Sequence, residues 1–572
     1  MRAMLEASLD AVPARRENQT PMLAAWGAIA LVSAVVRVLL IDLFPLSEAE
    51  ASLAVRVLSA SQGQLDTSLS TTGAPLFAHL MALIVWVFGA SDVSVRIVPA
   101  LAGVGLALTP ALLTATIGRR AALCAAFLIA VSPVAIQVSR MADPAMITAA
   151  LAMLVVGSMV RLMTDRPWWS PWTLSVGIGL GLADSPGIVV ALGTAVLAAG
   201  ATWGASPRLW LSRLADGQET GEWRAAARPV AVGAGVAVVA ATGAAMDLSG
   251  LGFAFGELWG GAAGLLTPAP FPTRNLATIL VYGWPIFALA VFGFVSRVRA
   301  GDRLALFLGQ WTLILIALAA VAGQSAVSLA VLPIAPAALL AGIAIQSLAP
   351  AGFLRRLSGA AWAGALVSFL IVGAVVLAIS QSIGAGRGPQ AGLVGLVLLV
   401  AVVAALWRWK LAADERGPAL VLFLVLAVGL LTVGSIGRLS FGGSPRGSEP
   451  LPREMTDPEI RAKFHELGIL ASADPSRVLP IDPATPDVVR WYGRAIPQTP
   501  RDSSVQPRPF TIRQVGADVP GSTSLGPGGP RTAWKTISIL NRFDLHPLGV
   551  ARWAVSRVGL LQGRPSDIII TR

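Results

Sequence analysis

The sequence predicts an all-α polytopic membrane protein of about 13 transmembrane helices, followed by a small extracytoplasmic C-terminal domain of α/β or α+β type. Three observations carry that prediction. Of the 572 residues, 55% are hydrophobic and 13% charged, roughly half the charge of a soluble globular chain. The apolar residues come in long unbroken runs, not in the alternation of a membrane β-barrel. The arginines outside the tail fall mostly in every second loop between those runs. The same composition excludes an ordinary soluble enzyme, a disordered chain and a fibrous one.

Crossing the hydrocarbon layer takes about 20 apolar residues. The candidate spans are 22–41, 96–117, 121–139, 145–160, 171–185, 187–204, 229–247, 276–296, 304–323, 326–349, 359–381, 391–407 and 417–437. The first run lacks a small-residue cleavage site, so it reads as a retained helix after a cytoplasmic tail, 1–21, and not as a signal peptide. The runs 171–185 and 187–204 are one stretch broken around Asp184 and Pro186. Residues 76–90 are apolar but only about 15 long, too short to cross. They read as a juxtamembrane helix inside one long external loop, 42–95.

Sidedness follows from charge. With Arg15 and Arg16 inside, the even loops hold Arg119, Arg120, Arg161, Arg166, Arg208, Arg213, Arg224, Arg228, Arg297, Arg299, Arg303, Arg355, Arg356, Arg408, Lys410 and Arg416. The opposite loops hold only Arg56, Arg140, Arg274 and Arg387. This positive-inside bias accounts for much of the net charge of +12 without nucleic acid, and it places the C-terminal part outside the cytoplasm. Few lysines beside abundant Ala, Gly and Arg suggest a GC-rich prokaryotic gene, hence a prokaryotic cytoplasmic membrane. The membrane part is 22–437 and the extracytoplasmic part 438–572, rich in Pro, Gly, Arg and Asp. Short apolar stretches lie there at 478–481, 487–492, 536–540 and 567–571, with helical pattern at 457–470 and 548–561. The single cysteine, Cys124, cannot form an internal disulfide, and the isolated His465 and His546 suggest no zinc site.

Carboxylates are scarce in the membrane part, so their places matter. The first external loop holds Asp42, Glu48, Glu50, Asp66 and Asp92, and the third span ends in Ser139-Arg140-Met141-Ala142-Asp143-Pro144 on the same face. Carboxylates from two loops beside an arginine suit work on a sugar hydroxyl, a phosphate or a metal; solvated loop residues and helix caps are the bland alternative. Arg37 sits near the outer end of span 1, where a buried guanidinium either meets a lipid phosphate or pairs with Asp42. Arg96 either binds phosphate or pairs with Asp92. Asp184 either caps the helix that starts at Pro186 or lines a cavity. Trp491 and Tyr492 read as core residues of the small domain.

The order of motifs resembles a known family. Ser47-Glu48-Ala49-Glu50-Ala51 is followed by Thr72-Gly73-Ala74-Pro75-Leu76. Then come Gly89-Ala90-Ser91-Asp92, Arg96, Pro99-Ala100-Leu101-Ala102-Gly103, Gly118-Arg119-Arg120, Ser132-Pro133 and Ser139-Arg140. This is similar to the GT-C superfamily of polyprenyl-phosphate-sugar-dependent glycosyltransferases, nearest to family 39 protein mannosyltransferases, lipid A aminoarabinose transferases and a prokaryotic flippase-activity-associated group. In the tail, Arg490-Trp491-Tyr492-Gly493-Arg494 resembles a motif of that last group.

The resemblance implies inverting transfer of a sugar from a polyprenyl-phosphate donor to a protein or glycan acceptor at the outer membrane face. It implies Glu48 or Glu50 as the base, because the first-loop Asp of relatives is absent here. It implies Asp143 as a second-loop carboxylate and Arg140, Arg37 and Arg96 toward the phosphate. His79 matches a less constant histidine, and Glu48 with Asp143 are the candidates for holding a divalent metal. The missing Asp leaves open a catalytically silent relative that binds lipid-linked sugars. A transporter is the third reading, against which spans 7–13 offer no charges at mid-membrane depth.

Overall fold

The computed structural model describes residues 20–62, 69–164, 167–204, 222–268, 274–322, 327–348 and, apart from 360, 358–371. Further on it describes 454–456, 460–473, 487–494, 511–514, 532–539 and 563–571, with isolated helical residues between 400 and 434. The span expected at 391–407 therefore falls almost wholly outside the described residues, the one at 417–437 in more than half of its positions, and Asp66, 478–481 and 548–561 lie outside them altogether.

The first helix, α1 (Thr20–Val38), leads into α2 (Glu48–Ser61), a helix where the sequence suggested only loop. The short apolar segment is helical, α3 (Pro75–Phe88), started by Pro75 and stopped at Gly89, whose φ of 83° suits glycine. Its 14 residues span about 21 Å at 1.5 Å per residue, short of the roughly 30 Å hydrocarbon core. α4 (Asp92–Leu108) is capped by Ser91, whose side chain accepts from the Ser94 amide. α5 (Arg119–Ala130) and α6 (Pro133–Ser139) form one broken span, bent by 56° where Ser132-Pro133 interrupts it. α7 (Ala145–Thr164), α8 (Ser170–Leu182) and α9 (Pro186–Trp203) follow, then α10 (Glu222–Thr242). After the short α11 (Leu258–Leu265) come α12 (Arg274–Val298), α13 (Arg303–Val321) and α14 (Ile334–Leu348).

Among the described residues, five helices are long and apolar enough to cross a membrane, six if the broken pair counts as one. The expected spans at 22–41, 229–247 and 276–296 correspond to shorter apolar stretches, Met22–Val38, Ala227–Thr242 and Tyr282–Val298. α14 is the central helix, buried on nearly every face against α5, α12 and α13. Lipid cannot drive apolar helices together, so small residues that admit close backbones do so instead. At the α8–α10 crossing a Cβ on Gly179 would lie 2.2 Å from the Gly233 carbonyl oxygen. Gly179→Ala is expected to push α8 off α10 and destabilise the protein by about 1–3 kcal/mol, read as a lower Tm in lipid nanodiscs.

In the C-terminal part, α15 (Ile460–Ala473) and α16 (Asp487–Gly493) accompany strands β1 (Glu454–Thr456), β2 (Thr511–Gln514), β3 (Thr532–Ile539) and β4 (Gly563–Thr571). The strands form one antiparallel sheet in the order β1-β3-β4-β2. The apolar stretch 487–492 is thus helix, and it packs on α2.

Candidate functional site

One end of the bundle gathers three loops. The Leu76 amide at the start of α3 donates to the Ala183 carbonyl at the end of α8 (2.7 Å). The Ala142 amide in the loop before α7 donates to Glu50 Oε1 (2.7 Å). Both acidic loops named from the sequence therefore meet, and the junction is Glu50.

Local sequence explains why Glu50 stands there. Ser47-Glu48-Ala49-Glu50 is a capping box: the Ser47 hydroxyl accepts the Glu50 amide, and the Glu50 carboxylate accepts the Ser47 amide at 2.9 Å. The box turns the Glu50 side chain inward, where Arg96 donates to it from Nε (2.9 Å) and Nη2 (2.7 Å). Arg96 also holds the carbonyls of Ile41, Phe44 and Pro45. Burial would raise the Glu50 carboxyl, but Arg96 and the Ser47 and Ala142 amides outweigh it and hold the group below the usual carboxylate range. Arg96 pairs with Glu50, not with Asp92, and its N–H groups are committed to protein. Glu50, offered by the sequence as a base, is buried with both oxygens accepting from protein donors.

Glu48, half-buried, points to the tail instead. Its two oxygens accept the Asp487 amide (2.6 Å) and the Val488 amide (3.1 Å) at the start of α16. Asp143 is half-buried, and its Oδ1 accepts the Ala145 amide at 2.8 Å, closing an Asx turn ahead of α7.

The remaining arginines expected on phosphate serve backbone carbonyls. Arg37, wholly buried, donates to the Ala130 (2.9 Å) and Ile129 (3.2 Å) carbonyls, the loose end of α5, and to the Ser33 hydroxyl. Arg140 donates to the carbonyls of Val36 and Leu39 at the loose end of α1. Each of these two segments is thus capped by an arginine of the other, which satisfies carbonyls that would otherwise be orphaned. The motif residue Gly103 leaves the room: a Cβ there would lie 2.6 Å from Arg37 Nε. His79 stands apart, with Nδ1 3.2 Å from the Ala240 carbonyl and the ring against Gly243 at the end of α10. It joins none of the other candidates.

Asp184 does not cap α9. It is fully buried, accepts the Thr148 hydroxyl at 2.6 Å through Oδ2, and its Oδ1 has no hydrogen-bond partner. Among the described residues no three His, Cys, Asp or Glu side chains gather closely enough to hold a metal ion. Glu48 and Asp143, the suggested metal pair, are both engaged by backbone amides.

The residues that sequence reasoning placed elsewhere are Trp491 and Tyr492. Trp491 is fully buried, and its Nε1 donates to Asp92 Oδ1 at 2.8 Å. The Tyr492 hydroxyl donates to Asp92 Oδ2 at 2.6 Å and accepts the Leu46 amide at 2.8 Å. Burial, then the neighbouring Asp92 carboxylate, push the phenol above its ordinary range. Arg461 completes the set on Asp92 at 2.6 Å. The signal for this docking was the tail motif itself, with two amphipathic aromatics in succession.

Comparison with known proteins agrees with this architecture. A family model described as dolichyl-phosphate-mannose-protein mannosyltransferase matches residues 72–214 of the 572. No curated protein matches by sequence. The structure is similar to that of ArnT from Cupriavidus metallidurans bound to undecaprenyl phosphate, with a TM-score of 0.52 and 15% identity over 83% of this chain and 85% of that one. The apo form of the same ArnT gives a TM-score of 0.50 and 16% identity over 83% and 84%. The chain is accordingly a multi-pass membrane protein with the fold of ArnT.

Proposed function

We propose that this chain transfers a sugar from a polyprenyl-phosphate donor to an acceptor hydroxyl at the outer face of a prokaryotic cytoplasmic membrane, with its N-terminus in the cytoplasm and 438–572 outside. The observation that carries the reading is the Glu50–Ala142 hydrogen bond, which joins the two acidic loops on a fold shared with a lipid-phosphate-binding ArnT. Asp143 is the carboxylate we assign as base, because Glu50 is saturated and both oxygens of Glu48 accept amides of the tail. The acceptor O–H gives its proton to Asp143 while its oxygen bonds to the anomeric carbon from the face opposite the phosphate. The C–O bond to phosphate breaks with both electrons leaving on the polyprenyl phosphate. Arg140, three residues before Asp143, acts on that departing charge through its field, its N–H groups being given to α1 carbonyls.

A silent, lipid-sugar-binding role is the second reading, favoured by the engagement of both first-loop glutamates. One experiment separates the two. The purified chain in nanodiscs is given undecaprenyl phosphate carrying tritiated glucose, mannose or aminoarabinose in turn, with a mixture of envelope acceptors. Loss of label from the lipid with release of undecaprenyl phosphate is expected; binding of the lipid without any release would leave the silent reading standing.

A further inference from the structure

The C-terminal part contributes more to the first loop than contact area. The Leu46 peptide is held on both sides by it: the amide donates to Tyr492, and the carbonyl accepts the Thr456 hydroxyl at 2.7 Å. The next residue, Ser47, opens the capping box, and Glu50 of that same turn holds the Ala142 amide directly before Asp143. Asp92, at the start of α4, receives Trp491, Tyr492 and Arg461 from the tail, so α16 is tied to α2 and α4 at once. These bonds cross about 400 residues of chain, with separations of 399 and 400 between Asp92 and the two aromatics. None of the groups involved is a surface ornament: Trp491 is wholly buried and Asp92 is 9% exposed.

We propose that Thr456, Arg461 and α16 are a working part of the transfer site, a clamp that sets the first turn of α2 and through Glu50 the position of Asp143. Tyr492, Asp92 and Glu48 are its positioning residues; Glu48 serves as the acceptor for the first amides of α16. The proposal rests on the reading of Asp143 as the base. Displacing a reacting group by about 1 Å can cost 10²-fold in rate even when the displaced contact is remote.

The test uses the full chain in nanodiscs. Tyr492→Phe keeps the ring and removes only the hydroxyl that bridges Asp92 and Leu46. It is expected to lower kcat about 10- to 100-fold with donor KM changed less than about twofold. Glu48→Ala should do likewise, and Glu48→Gln, which keeps an acceptor for one of the two amides, should recover part of that loss. A Glu48→Gln variant as inactive as Glu48→Ala, at unchanged Tm, would make Glu48 the base and overturn the clamp. A second readout needs no turnover. Hydrogen exchange in Tyr492→Phe should quicken at amides 46–51 and 142–145 and stay unchanged in the middle of α7. Unchanged exchange at 46–51 and 142–145 overturns the clamp. Faster exchange in a protein whose wild type shows no transfer would uphold the clamp and remove the transfer reading.

Discussion

Arg96→Ala is expected to destabilise the protein by about 3–5 kcal/mol, because it strands a buried carboxylate, Glu50, that water scarcely reaches. Both side chains are 6% exposed. The loss should exceed that of a simple ion pair, since Arg96 also satisfies three carbonyls of the 41–45 segment. Replacing both partners, Glu50→Leu with Arg96→Met, would relieve the stranded charge. It would still leave those carbonyls and the Ser47 and Ala142 amides without partners, at about 1–3 kcal/mol each where buried. The double variant is therefore expected to remain well below wild type, and a double variant as stable as wild type would show that the backbone bonds carry little. Thermal unfolding in nanodiscs, followed by tryptophan fluorescence, is the measurement.

The same pair fixes a pH dependence. Glu50 has its folded pKa below the unfolded value of about 4.3, so it binds fewer protons folded than unfolded near and below that pH. Its contribution is complete above pH 4.3 or so and is lost as the pH falls through the folded value. Acid should thus lower the Tm of the wild type more steeply than that of Glu50→Gln, in the range below about pH 4.

Asp143→Asn is expected to lower sugar transfer by about 10²–10⁴-fold, the span of a lost general base, with the Tm nearly unchanged. The amide keeps an oxygen for the Ala145 N–H, so the Asx turn into α7 survives. Single-turnover assays with labelled undecaprenyl phosphate sugar separate this from a binding defect: donor binding should persist while release of the lipid phosphate slows. Transfer at wild-type rate in Asp143→Asn would remove Asp143 from the chemistry.

The helical membrane architecture was legible because apolar run length is a property of sequence alone, and so was the shortness of α3. The meeting of the two acidic loops was legible from charge sidedness. The fate of the individual side chains was not. For Arg37, Arg96 and Arg140 the resemblance pointed to the phosphate and the bare sequence, for the first two, to pairing with Asp42 or Asp92, yet helix ends in a dry interior leave carbonyls that demand donors first. Nothing in local sequence says that the end of α1 will abut α6. One signal was readable: Ser47-x-x-Glu50 is a capping-box pattern, and it marks α2 as a helix with an inward glutamate. The docking of Trp491 and Tyr492 on Asp92 is set by tertiary placement across most of the chain, beyond any periodicity.

The reciprocal arginines between α1 and the α5–α6 pair bear on biogenesis. Alone in lipid, α1 would carry the Arg37 guanidinium with only Ser33 to accept from it, and α5 would end in bare carbonyls at the break before Pro133. Each defect is cured only by the other segment. The contacts therefore favour α1 staying beside the insertion machinery until about a hundred further residues have emerged, so that the two segments leave it as one unit.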